Sequence, residues 1–169
     1  MGYYRVTLER KRNAVKKLSA LVTDRHGTRK PCSPEAYEHR SVTVPFGGCT
    51  EPSNVKAGGH SCPLRFQCAG CGFYRPDPSY LPAIEDQINS LRADRETALA
   101  MGAADYVIAN LTAEIASFRS VAANMRHELA ALPEEERAEV EEAAAVLRQV
   151  RSGSTRPLLP LSVLRKQAP

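Results

Sequence analysis

Four cysteines placed close together constrain this sequence more than any other feature. They are Cys49, Cys62, Cys68 and Cys71, spaced Cys-x12-Cys-x5-Cys-x2-Cys within 23 residues. Four thiolates complete the tetrahedral coordination of Zn2+, and such a site leaves no position open for a substrate water. The spacing therefore predicts a structural zinc site, in which metal binding orders the loops of residues 46–80.

Other states of these thiols remain open. The cysteines could be free or disulfide-bonded, although no signal peptide precedes them and disulfides are uncommon in reducing compartments. The same thiolates could hold an iron–sulfur cluster. His60, two residues before Cys62, could replace one thiol as a ligand, and Cys32 lies outside the cluster.

Glycines near the cysteines are expected to shape the loops. Gly58, Gly59 and Gly72 can all adopt a positive φ. In the turn after Cys71, such a conformation would aim backbone N–H groups at the sulfurs. Few apolar residues surround this region, so we expect the metal rather than a core to hold it together.

Charge is distributed unevenly along the chain. Nine basic and two acidic residues give residues 1–30 a net charge of +7, whereas seven basic and thirteen acidic residues give residues 82–151 a net charge of −6. A basic segment is typical of a nucleic-acid-binding surface. We therefore predict a DNA-contacting face on the first helix and none on the acidic helices. The predicted phosphate-contacting residues are Arg10, Lys11, Arg12, Lys16 and Lys17.

Hydrophobic periodicity predicts a mainly α fold. The first helix carries Leu8, Val15, Leu18 and Val22 on one side and is expected to end between Asp24 and Gly27. Residues 28–48 read as irregular, apart from a short strand at residues 41–46. From Pro82 onwards the chain is predicted to be helical, and its first stripe consists of Ile84, Ile88, Leu91 and Ala98, ending at Gly102.

Two further stripes follow Gly102. The longer one repeats in steps of three and four residues and consists of Ile108, Leu111, Ile115, Phe118, Ala122, Met125, Leu129 and Leu132. Pro133 opens a last helix, whose stripe consists of Val140, Ala143, Leu147 and Val150. We predict that these two helices form a tight antiparallel hairpin, alone or within a three-helix bundle, although the longer stripe could be the seam of an oligomer.

The remaining organisation follows from composition. We divide the chain into a basic N-terminal part (1–27), a zinc module (28–81), a helical bundle (82–151) and a flexible tail (152–169). No run approaches the roughly 20 apolar residues of a membrane span, so we expect a soluble, cytoplasmic protein. The sequence carries no phosphate-cradling glycine motif, no Gly-x-Ser-x-Gly and no His-Glu-x-x-His.

The cysteine-rich block resembles the C-terminal part of large tyrosine recombinases, the integrases and transposases of bacterial mobile elements. The resemblance extends from Gly2 to about Val150. Its most specific part is Cys62-Pro-Leu-Arg-Phe-Gln-Cys68-Ala-Gly-Cys71-Gly-Phe-Tyr-Arg-Pro-Asp-Pro-Ser-Tyr-Leu-Pro82, preceded by Cys49-Thr-Glu-Pro-Ser-Asn-Val.

The resemblance implies a role in DNA integration and recombination. In that family the catalytic domain ends in a segment of the form Thr-Thr-x-x-Tyr, whose tyrosine attacks the scissile phosphodiester. Met1-Gly2-Tyr3 is similar to the end of that segment, which makes Tyr3 the expected nucleophile and Tyr4 the alternative. The family's Arg and His groups that activate the tyrosine lie upstream, so we expect this chain to be a fragment that is inactive alone. A different class, a stand-alone zinc-binding interaction module, stays open.

Overall fold

The computed structural model describes residues 6–24, 26–28, 39–63 and 67–154, and within them the fold is mainly helical with one small sheet. Tyr3, Tyr4 and Cys32 lie outside the described residues. The helices are α1 (Leu8–Ser19), α2 (Pro52–Lys56), α3 (Leu81–Ala100), α4 (Asp105–Ala130) and α5 (Glu134–Ser154). The strands are β1 (Val42–Val44), β2 (Gly47–Cys49) and β3 (Tyr74–Pro76), and single 3-10 turns span Cys68–Gly70 and Pro78–Tyr80.

The three strands form an antiparallel sheet in the order β1-β2-β3. Cys49 at the end of β2 pairs with Val42 on one side and Tyr74 on the other. The predicted strand at residues 41–46 is shorter than expected because Pro45 and Phe46 form the turn between β1 and β2. Phe46 has a φ of 59°, a conformation that non-glycine residues rarely adopt.

Helices α3 and α4 form the antiparallel hairpin of the fold. The α3 stripe packs Ile84, Ile88 and Leu91 into the core, and α4 contributes Phe118 and Met125 among others. The first of these helices ends close to Gly102, as predicted. Gly102 has a φ of 67°, its N–H donates to Leu99 and the next N–H donates to Ala98, which together form a Schellman motif.

The predicted hairpin of the last two helices is wrong. The most extensive helix packing is that of α4 against α3 and of α5 against α1, whereas α4 and α5 follow each other with little contact. The physical reason is that most of each apolar stripe has another partner, and of the described residues in the longer stripe only Leu129 and Leu132 pack against the cluster that contains α5. On α5, Val140 and Leu147 pack with Ala14 and Leu18 of α1 in a second core cluster. Helix α1 also ends at Ser19, earlier than expected, and its Leu8 is exposed.

The cysteine-rich loops share the main core with the helical hairpin, contrary to the expectation that they contribute little to a core. Val44, Cys49, Ala69 and Tyr74 belong to the same buried cluster as Ile84. Two edge-to-face ring contacts join Phe46 to the 3-10 turn before α3 and to α4, because the Phe46 ring lies 6.0 Å from that of Tyr80 and 5.9 Å from that of Phe118. The sheet therefore rests directly on the hairpin.

Arg151 near the end of α5 clamps the second cluster to the turn that precedes α3. Its guanidinium donates to the hydroxyl of Ser79 (2.7 Å) and to the carboxylate of Asp77 (3.1 Å), and lies 3.5 Å from the centre of the Tyr80 ring. Ser79 is buried, so this is a partly desolvated polar contact. No helix in the described part of the chain is both long enough and apolar enough to span a membrane.

Candidate metal centre

The structure brings the four predicted ligands around one small cavity. Cys49, Cys62, Cys68 and Cys71 all line a cavity of about 20 Å³, together with Val44, Asn54, Gln67 and Tyr74. They come from the end of β2, the loop after α2, the start of a 3-10 turn and the residue that follows it. Such a volume has room for about one water-sized particle. None of these four described cysteines is joined in a disulfide.

Backbone N–H groups point at two of the sulfurs. The N–H of Glu51 donates to Cys49 Sγ (3.5 Å), and the N–H of Phe73 donates to Cys71 Sγ (3.4 Å). In both cases the donor lies two residues after the cysteine. A neutral thiol is a weak acceptor, whereas N–H donors favour a thiolate that binds metal. The predicted N–H donor after Cys71 is thus confirmed, but Gly72 does not have the positive φ that we expected; Gly58 and Gly59 do.

A buried asparagine connects two of the cysteine-bearing segments. Asn54 on α2 is 1% exposed. Its amide nitrogen contacts Cys49 Sγ at 3.7 Å, and its amide oxygen accepts the N–H of Ser61 at 3.1 Å, one residue before Cys62. Glu51 caps the helix that contains Asn54, and its carboxylate accepts a hydrogen bond from the backbone N–H of Asn54. The role of Asn54 was not predicted from the sequence. The available signal was its position as a polar residue between Cys49 and Cys62.

The thiol of Cys68 is held in its neutral form. Burial, and after it the nearby Cys62, Cys49 and Cys71, raises its pKa from an ordinary 9.0 to about 11. Like charges that share a site disfavour ionisation of one another. A divalent cation would reverse this balance, because it stabilises all four thiolates at once.

Gathering around the cavity is not the same as coordination. Among the residues that the structure describes, no group of three or more His, Cys, Asp or Glu side chains is arranged to hold a metal ion. The shared cavity places the four thiols close to one another, but coordination would require the sulfurs to approach further than they do here. The donor set, four thiols with N–H groups behind two of them, fits Zn2+.

The rival ligand is not at the cavity. His60 is exposed and does not line it. Its backbone is fixed by a hydrogen bond from its N–H to Ala57.

The basic helix is partly neutralised by α5. Arg10 pairs with Glu142 at 2.9 Å, and Lys17 pairs with Glu139 at 2.7 Å. Lys11, Arg12 and Lys16 are exposed. Of the five predicted phosphate contacts, Arg10 and Lys17 are thus engaged by α5. Among the described residues, Lys11, Arg12 and Lys16 form no ion pair.

The sequence matches no protein-family model, and neither a curated protein nor a solved structure matches it.

Proposed function

We propose that this chain is the C-terminal part of a site-specific DNA recombinase, in which a structural zinc module supports DNA binding or subunit contacts. The observation that carries the metal component is the single cavity lined by all four cysteines, with N–H groups directed at Cys49 and Cys71. The recombinase component has its support in the cysteine-rich block of the sequence. It assigns the nucleophile's role to Tyr3, outside the described residues.

The role of the metal is to fix the loops against the hairpin. Cys49 lies in the main core and pairs with Tyr74, so a bound ion would lock the sheet, α2 and the 3-10 turn of Cys68 together. A site with four protein ligands supplies folding energy and no catalytic position. The chain's own residues then present a fixed surface to DNA or to another subunit.

Replacement of Cys68 tests the metal site. The Cys68→Ser variant should lose most of its bound Zn2+, because a serine oxygen is a poor substitute for the fourth thiolate. Metal analysis of protein purified under reducing conditions measures this. Cys32→Ser is the matched control, since that cysteine lies outside the cluster, and it should keep a full equivalent of zinc.

Several outcomes would contradict the zinc module. Retention of a full equivalent by the Cys68→Ser variant would remove Cys68 from the site. Iron with a visible absorption band would indicate a cluster instead. Wild-type protein without either metal would leave the cysteines as thiols or disulfides, which thiol titration distinguishes.

The DNA component predicts weak, salt-dependent binding through α1. Each phosphate neutralised by a Lys or Arg contributes about −0.9 to the slope of log K against log salt. With Arg10 and Lys17 paired to α5, the exposed Lys11, Arg12 and Lys16 should account for most of that slope. Fluorescence anisotropy with a labelled duplex measures it, and binding that does not change with salt would contradict this role.

The tyrosine is tested by covalent capture. A tyrosine hydroxyl of pKa about 10 needs a base and cationic neighbours to attack a phosphodiester. The chain alone should give no adduct with a suicide DNA substrate, and a protein restored with an upstream catalytic domain should give one through Tyr3. Survival of that adduct in a restored Tyr3→Phe protein would move the role to another residue, with Tyr4 the first to test.

A second candidate is a stand-alone zinc-binding interaction module without catalysis. The observation that favours it is the tip of the α3–α4 hairpin, where Leu99, Met101 and Tyr106 are exposed. Exposed large apolar side chains are typical of protein contacts. Zinc binding with neither DNA binding nor rescue of the adduct would favour this class.

A further inference from the structure

The groove between α3 and α4 holds a group of arginines in the acidic half of the chain. Arg92 comes from α3, Arg119 and Arg126 come from α4, and all three line one open groove of about 680 Å³. Ile88, Ala122 and Ala123 line the same groove. Because the alanines are small, the groove stays open between the arginines.

The register of the hairpin places two of these arginines opposite each other. Arg126 donates to the carboxylate of Glu85 through two of its nitrogens, which fixes these residues at one level. Arg92 lies seven residues after Glu85, and Arg119 lies seven residues before Arg126. In an antiparallel pair, both steps lead two turns, about 10 Å, in the same direction. Arg92 and Arg119 therefore lie at about the same level on facing helices.

On the described helices α3 and α4, the positions three and four residues from Arg92 and Arg119 offer no uncommitted carboxylate. On α4 the residues three and four positions from Arg119 are Ile115, Ala116, Ala122 and Ala123. On α3 the only acidic residue at that spacing from Arg92 is Glu96, which is engaged by Arg95 at 2.7 Å. Both arginines are exposed. Two like charges across a groove repel each other, and an anion between them would remove that repulsion.

The arginines occupy two positions along the groove, with Arg126 at one and Arg92 and Arg119 at the other, about 10 Å away. Arg126 uses two donors for Glu85 and is 56% exposed, so its other N–H groups can bind a ligand beside the pair. A single small phosphate would engage one level. A nucleic-acid strand advances about 3.4 Å per nucleotide, so about 10 Å between levels corresponds to about three phosphates. Guanidinium groups bind phosphates in bidentate geometry.

We propose that this arginine groove (Arg92, Arg119 and Arg126) binds the phosphate backbone of a nucleic acid, as a second contact apart from α1. The inference rests on the proposed function for the identity of the anion. It departs from the expectation that the acidic helices carry no nucleic-acid face. The overall charge of residues 82–151 is negative, but the charge within the groove is locally positive.

The test compares three double variants of the zinc-loaded full chain by anisotropy with a labelled duplex over a series of salt concentrations. Arg92→Gln/Arg119→Gln removes the groove charges. Lys56→Ala/Arg148→Ala removes the same number of exposed charges elsewhere. Arg12→Ala/Lys16→Ala weakens the α1 face. All these positions are exposed, so unfolding midpoints should stay close to that of the wild type.

We expect the groove variant to bind roughly tenfold more weakly and its salt slope to be smaller in magnitude by about 1.8, or about 0.9 for each lost contact. The control variant should bind like the wild type. An unchanged groove variant, with binding lost only in the α1 variant, would overturn this inference and leave the proposed function intact. An equal loss in the control would reduce the effect to net charge and overturn it as well. A wild type that binds no duplex at any salt would overturn both the groove and the DNA component, while its zinc content would still report on the metal module.

Discussion

At the scale of single residues, Asn54 and Gly47 constrain the cysteine-rich part of the molecule most tightly. Asn54 is buried, and its amide contacts a sulfur on one side and a backbone N–H on the other. Gly47 lies where β2 approaches β3 so closely that a side chain has no room. Neither residue is a predicted ligand, yet each holds a ligand-bearing strand or loop in place.

Replacing Asn54 should weaken metal binding without removing a ligand. The Asn54→Ala variant loses the donor to Cys49 Sγ and the acceptor for Ser61, so the zinc affinity should fall about 10- to 100-fold. Competition with a chromophoric chelator measures the affinity. Lys56→Ala, an exposed position at the end of the same helix, should keep the wild-type value. An unchanged affinity in the Asn54 variant would show that its contact with the sulfur is only packing.

A methyl group at Gly47 should destabilise the sheet. A Cβ at this position would lie 2.2 Å from the carbonyl oxygen of Arg75, and the neighbouring backbone must shift to relieve the overlap. We expect Gly47→Ala to lower the free energy of unfolding by roughly 2–4 kcal/mol, as measured by denaturant titration. Gly72→Ala is the control because a Cβ there meets nothing within 4 Å and its φ is not positive. Equal stability of the two variants would mean that β2 and β3 lie further apart.

At the scale of secondary-structure elements, the hairpin of α3 and α4 is the main support of the fold. Its seam buries Ile84 and Leu91 of α3 against Phe118 and Met125 of α4, and the sheet rests on the same seam. The tip of the hairpin is less buried, with Leu99, Met101 and Tyr106 exposed. A substitution in the buried seam of the hairpin should therefore lower the free energy of unfolding more than one near its exposed tip.

A charge in the seam tests this packing. Met125 is 3% exposed, so the carboxylate of Met125→Asp must be desolvated or must open the helices. The free energy of unfolding should fall by roughly 2–4 kcal/mol, seen as a lower midpoint by circular dichroism. Ala123→Asp, an exposed site on the same helix, should change it by less than about 1 kcal/mol. If both variants melt at the wild-type temperature, the seam faces solvent.

Sequence periodicity predicted the helices well but not their partners. The stripes at Ile84, Ile88 and Leu91 and at Ile115, Phe118 and Met125 are buried as expected. However, periodicity identifies an apolar face without saying which other face covers it. Short connections favoured pairing α5 with α4, whereas α1, more than 100 residues earlier in the chain, supplies Ala14 and Leu18 for α5. Local sequence patterns do not reveal a contact between residues so far apart in the chain.

The candidate site shows the same division. Cysteine spacing predicted the four residues that line one cavity, because the thiols carry the chemistry themselves. Asn54 and the close approach at Gly47 were not predicted, since their importance comes from tertiary contacts. The pairing of Arg10 and Lys17 with Glu142 and Glu139 was also missed, because net charge per segment says nothing about which charges meet.

At the scale of the whole molecule, the buried Cys68 thiol should make stability depend on pH. Cys68 has a pKa of about 11 in the folded protein and about 9.0 when unperturbed, with burial as the main cause. Below pH 9 the thiol is protonated in both states. Between about pH 9 and about pH 11 the unfolded chain releases the proton while the folded chain keeps it, so stability falls as pH rises.

Denaturant titration of metal-free protein should reveal this loss of stability above pH 9. The Cys68→Ser variant lacks the titrating thiol and should show a flatter dependence over that range. In zinc-loaded protein the ligands are already thiolates, so the same pH range should leave the midpoint nearly constant. A steep alkaline loss that persists in the Ser variant would assign the effect to other groups.

The Arg151 clamp has a consequence for cooperativity. The buried residues of the two core clusters lie on different helix pairs, and among the described residues of the hairpin only Leu129 and Leu132, at its end, pack against the second cluster. A core that is divided in this way tends to open in separate units. A single guanidinium, bound to Asp77, Ser79 and the ring of Tyr80, ties the end of α5 to the turn that starts α3. This contact is positioned to make hydrogen exchange in α1 and α5 keep pace with exchange in the hairpin. The clamp, together with Leu129 and Leu132, should favour exchange of the α1–α5 pair as part of the whole fold over its opening as a separate unit.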